Sequence, residues 1–121
     1  MRLFYTITFI FLLIAKSAFA GEADVIAADV AKSGPNTYNF SVTVSHDDGG
    51  WNHYADSWDV VAPDGSVLGT RTLYHPHVNE QPFTRSLAGV KIPKNINSVT
   101  LRAHCSVHDY GGKELSVELP R

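Results

Sequence analysis

From Thr37 to Ser45 the chain alternates polar and apolar residues without a break, so Tyr38, Phe40, Val42 and Val44 share one face of an extended strand. Val99 to Val107 alternates in the same way and puts Val99, Leu101, Ala103, Cys105 and Val107 on one face. After residue 20 no stretch sustains the 3.6-residue period of an amphipathic helix, so the core must be built from sheets. Between the two runs lie Trp58 to Ala62, the turn Pro63-Asp64-Gly65 and Ser66 to Leu73, which together read as a hairpin. Ala23 to Ala31, Phe83 to Val90 and Glu114 to Leu119 complete seven short strands. That number and spacing predict an all-β fold, an antiparallel sandwich of immunoglobulin or fibronectin-III type with Trp58 filling the space between the sheets.

Residues 1–20 read as a secretory signal peptide rather than part of this fold. Arg2 supplies a short positive start, Leu3 to Ala15 is an almost unbroken apolar run, and Ser17-Ala18-Phe19-Ala20 ends in a small-x-small cleavage pattern. The run is shorter than the roughly 20 residues of a membrane-spanning helix, so no transmembrane segment is expected once the chain is cut after Ala20. Residues 21–121 then form one exported domain, periplasmic or secreted. Loss of Arg2 and Lys16 takes the basic side chains from 10 to 8 against 12 acidic ones, a net charge of −4. No basic, aromatic-interleaved surface for nucleic acid is encoded. A single cysteine, Cys105, forms no internal disulfide, which in an oxidising compartment leaves burial, metal binding or pairing with another molecule.

All 6 histidines fall between His46 and His108, in three segments: S-H-D-D-G-G-W-N-H with His46 and His53, Y-H-P-H with His75 and His77, and A-H-C-S-V-H-D with His104, Cys105 and His108. Imidazole and thiolate are donors for zinc, copper or iron. If the strands reverse at each turn, the links over 46–53, 74–82 and 108–112 emerge at the same end of the sandwich, whereas the Pro-Asp-Gly turn and Lys91 to Asn97 occupy the other. Sequence clustering thereby becomes a candidate site.

Within it, Pro76 extends the backbone so that His75 and His77 project to the same side. Glu80, Gln81 and Arg85 stand ready to orient imidazole N–H groups, as do Asp47 and Asp48 beside His46. Strand parity makes Cys105 a buried core thiol. A strand ending near Cys105 would instead let it converge with His108 on a metal. His104 faces the other way.

The loop with His46 and His53, the apolar strand, the Pro-Asp-Gly turn and the terminal Cys105-x-x-His108 together resemble the iron domain of the superoxide reductases, desulfoferrodoxin and neelaredoxin. The resemblance implies an immunoglobulin-like sandwich holding iron through four histidines and one cysteine, with His46 and His53 matching the loop histidines and Cys105 and His108 the C-terminal pair. The chain departs from that pattern in lacking an N-terminal Lys-His element and a His-Pro at His46, and in carrying Asp109 where a glycine follows the last histidine. The segments H-Y-A-D-S-W-D-V and H-P-H-V-N-E-Q-P-F-T-R-S further resemble a small group of exported bacterial immunoglobulin-like β-sandwich proteins, which implies export and fold but no activity.

Three functions follow as expectations. The first is a transition-metal carrier or accessory protein of the periplasm binding copper, zinc or iron through His46, His53, His75, His77, Cys105 and His108. The second is a redox enzyme like superoxide reductase, with Cys105 as the axial thiolate. The third is a metal-free module whose loops contact another periplasmic protein.

Overall fold

The computed structural model describes residues 21–121, and the signal-peptide reading of residues 1–20 lies outside the described residues. Seven strands follow in order: β1 (Asp24–Gly34), β2 (Thr37–Ser45), β3 (Ala55–Val61), β4 (Val67–Thr72), β5 (Phe83–Lys91), β6 (Ser98–Cys105) and β7 (Leu115–Glu118). They form two sheets, β1-β2-β5 and β4-β3-β6-β7, in which every paired neighbour is antiparallel. In an immunoglobulin constant domain strand four joins the first sheet. Here β4 pairs with β3 in the second sheet, as the tight Pro63-Asp64-Gly65 hairpin dictates.

Alternation places the core as expected. On β2, Phe40, Val42 and Val44 are fully buried, and on β6 so are Leu101 and Cys105. Trp58 of β3, also fully buried, fills the space between the sheets. Burial of a side chain such as Phe40 contributes about 1.5–3 kcal/mol by removal of apolar surface from water.

The alternation of β6 stops at Cys105, two residues earlier than its pattern suggests, and Val107 is exposed. The stop has a backbone cause. Cys105 and Asp109 exchange N–H···O bonds of 2.8 and 2.9 Å across a tight turn, closed by Asp109 at φ 55°. Aspartate tolerates this left-handed conformation better than most residues, so it fills a position where glycine would be usual.

The links β2–β3, β4–β5 and β6–β7 meet at one end. The His46 amide donates to Gln81 Oε1 at 3.0 Å, tying the first link to the second. Tyr54 and Ser106 tie the first to the third through two bonds of 3.0 Å.

Candidate metal centre

The loop after β2 is folded back by Gly50, whose φ of 109° is open to glycine, so that His53 and Gly49 bond across the turn. His46 and His53 are thereby set edge to face, with ring centroids 5.0 Å apart. His53 in turn meets the ring of His108, again at 5.0 Å. Ligand atoms of His46, His53 and Cys105 all lie within 4.8 Å of one another, a separation small enough for one metal ion. The atoms that meet this spacing are two imidazoles and a thiol, with His108 bordering them through the His53 ring.

Asp48 fixes the orientation of His46. Its carboxylate, shielded from solvent, accepts the His46 Nδ1–H on Oδ1, together with the Ala55 amide at 3.0 Å, and the His77 amide on Oδ2 at 2.7 Å. A carboxylate only accepts, so the neutral His46 ring carries its proton on Nδ1 and turns the Nε2 lone pair inward. Carboxylate-oriented histidine of this kind is the usual support of a metal ligand. Asp47, equally available in the sequence, is exposed.

Cys105 sits where the core ends and the cluster begins. Its Sγ accepts the amides of Val107 and His108, both at 3.5 Å. Two N–H dipoles aimed at one sulfur are an arrangement suited to a charged, coordinating thiolate. The core and ligand readings of Cys105 are therefore compatible in position.

The inward atoms His46 Nε2 and His53 Nε2 face the Gly21 carbonyl oxygen at 3.0 and 3.2 Å. Each Nε2 donates to this carbonyl oxygen when it carries a proton and offers a lone pair to a cation when it does not. The donor set, nitrogen and sulfur with an oriented imidazole, fits zinc, copper or iron.

His75 and His77 stand outside the group. Their rings are 4.6 Å apart, so the two imidazoles do lie on the same side, although residues 74–78 form no strand. His75 is exposed. His77 is buried, stacks on Phe83 at 4.0 Å, and accepts an Arg85 N–H on Nε2 at 2.9 Å. Arginine always donates, so the lone pair His77 would offer a metal is already engaged by a cation. Burial, Arg85 and His75 hold the His77 pKa below its ordinary value, which keeps the ring neutral. Gln81 joins the segments, taking the His46 amide and donating to the His77 carbonyl at 3.1 Å.

His104 faces away, as parity requires, and is clamped between two carboxylates, Asp56 on Nδ1 and Asp109 on Nε2. Burial alone would lower its pKa, but the hydrogen bonds and charges of Asp56 and Asp109 together raise it. The protonated ring therefore stabilises the metal-free fold fully below the unfolded value of about 6.5, and this contribution is lost as pH rises through the higher folded value. Urea unfolding of metal-free wild type and His104→Gln should show the wild-type advantage at about pH 5.5 and a smaller one at about pH 8.5. An advantage unchanged between the two would contradict the assignment. The Asp56 and Asp109 partnership has no signature in the sequence, because Asp56 lies 48 residues from His104.

No protein-family profile matches the chain. A relative from Halomicrobium mukohataei, named "Putative lipoprotein", is 39% identical over 97 residues, which are 80% of this chain and 47% of the relative. The chain thus spans about half the length of that relative. Among solved structures, a reduced point variant of superoxide reductase (neelaredoxin) from Archaeoglobus fulgidus matches with a TM-score of 0.51, covering 79% of this chain and 87% of that one at 12% identity. The likeness is one of fold. No helix among the described residues is long and apolar enough to cross a membrane.

Proposed function

We propose that this is an exported metalloprotein that holds one transition metal ion through His46, His53, His108 and Cys105, in a carrier or accessory role. The convergence of His46, His53 and Cys105 ligand atoms within 4.8 Å carries the reading. Asp48 supports it by presenting His46 Nε2, and the turn over residues 105–109 supports it by placing His108 three residues from Cys105 with both facing the loop histidines. Export is supported by the leader pattern and by the lipoprotein name of the relative. His75 and His77 belong to a separate pair governed by Arg85 and Phe83.

The direct test is titration of chelator-treated, untagged protein with zinc, copper and iron, with elemental analysis of protein as purified. One equivalent per chain is expected, with binding that weakens on acidification because the ligands must shed protons. Affinity no greater than that of a histidine-poor control would remove the metal reading and leave the metal-free interaction module.

A second reading, superoxide-reductase-like redox chemistry at iron, is favoured by the neelaredoxin-like fold and by a buried cysteine sulfur flanked by two amides. In that case the iron-loaded protein should consume superoxide. The role of this chain would be to hold the ion with three imidazoles, orient one through Asp48, and shield the sulfur from solvent.

A further inference from the structure

We propose that the α-amino nitrogen of Gly21, freed when the leader is cut after Ala20, is a further ligand of this centre. The inference rests on the metal reading above and concerns a backbone group that no side-chain pattern reveals. Gly21 is buried, and its carbonyl oxygen and Cα border the imidazoles of the centre. Its carbonyl oxygen is 3.0 Å from His46 Nε2 and 3.2 Å from His53 Nε2, and a Cβ on Gly21 would stand 2.6 Å from His108 Nε2. Three imidazoles thus surround one residue. An alanine there would require the exposed His108 ring to swing away from its present place.

The position of Gly21 is fixed from the chain that follows it. Ala23 is 1% exposed, the Val25 amide donates to the Lys113 carbonyl at 2.8 Å, and the Lys113 amide donates to Asp24 Oδ1 at 2.6 Å. A residue two positions before a buried alanine has little room to move.

The chemistry of its nitrogen depends on processing. In the uncut chain the Gly21 nitrogen is a peptide amide, whose lone pair is delocalised into the Ala20 carbonyl and unavailable to a metal. Hydrolysis adds one water across that bond: Ala20 leaves as the carboxylate of the leader, and Gly21 gains an amine with a free lone pair. That amine and the Gly21 carbonyl oxygen are separated by two carbons, the spacing of a five-membered chelate. The centre would accordingly be completed by export, with the precursor lacking one nitrogen donor.

The test uses the full precursor, exported and processed in cells, with the new N-terminus established by intact mass. Three proteins are titrated with cobalt(II): the wild type; a form with a Ser-Glu pair inserted between Ala20 and Gly21, which keeps the Gly21 nitrogen an amide; and processed wild type whose terminal amine has been converted to a carbonyl by transamination. The third needs no change of sequence, so it decides the matter if the insertion misfolds. Both blocked forms should bind cobalt at least about 10-fold more weakly than wild type, the lower bound for loss of a supporting group, and with a shifted ligand-field spectrum. Equal affinities with superimposable spectra would overturn the proposal while leaving the histidine and cysteine centre intact. A mature N-terminus other than Gly21 would overturn it as well. Absence of binding in all three, with Cys105→Ser no different, would mean that the centre itself is wrong and the inference falls with it.

Discussion

Cys105→Ser should weaken metal binding by at least about 100-fold and remove any thiolate-to-iron(III) absorption band, while costing the metal-free fold only about 1 kcal/mol. The small stability term follows from size and place. Cys105 is fully buried, but the Val107 and His108 amides that reach its sulfur are available to a serine hydroxyl, so the buried hydroxyl is not left unpaired. The large affinity term follows from the sulfur itself, which faces His46 and His53 and receives two amides that a serine oxygen would meet at a different distance. If Cys105 were only a core residue, the substitution would leave affinity unchanged, and the thiol would stay unreactive until global unfolding. Iron reconstitution of wild type and variant, read by absorption and by equilibrium titration, separates the two. A wild-type-like affinity in the variant would return Cys105 to the core alone.

Much of this arrangement is legible in the amino-acid sequence because it depends on a period of two. Tyr38 to Val44 and Val99 to Cys105 bury the residues their alternation predicts, and antiparallel reversal brings the three histidine segments to one end. Legibility fails where the period does. Alternation assigns Val107 to the core face, but the strand yields to a turn that Asp109 closes without a glycine to announce it. His75 and His77 do lie side by side, but nothing local in the sequence tells that His77 packs onto Phe83 under Arg85 instead of against His46, His53 and Cys105. In the sequence Gly21 is marked only by the cleavage pattern that precedes it. Its place among three imidazoles depends on contacts spanning 25 to 87 residues, and no local pattern encodes those. For the aspartates the sequence offered both Asp47 and Asp48 as partners of His46, and only burial distinguishes them.

That distinction makes Asp48 the most consequential residue outside the proposed ligands. Its two oxygens accept from His46 Nδ1, the Ala55 amide and the His77 amide, so one carboxylate joins the loop after β2, the start of β3 and the β4–β5 link. Asp48→Ala strands two buried amide donors, each at a cost of about 1–3 kcal/mol, and frees the His46 ring to rotate. A destabilisation on the order of 3–5 kcal/mol is therefore expected, a large fraction of the roughly 5–15 kcal/mol that holds a domain folded. Asp48→Asn separates the structural from the metal role. The amide keeps one acceptor oxygen and nearly the same volume, so it should retain more of the fold. Its NH2 group replaces the second acceptor, and a neutral partner orients His46 less firmly, which predicts a 10- to 100-fold loss of metal affinity. Urea unfolding of both metal-free variants, with zinc titration of Asp48→Asn, tests each half. Full stability in Asp48→Ala would show that water replaces the carboxylate without cost, and wild-type affinity in Asp48→Asn would show that His46 is not held for a metal.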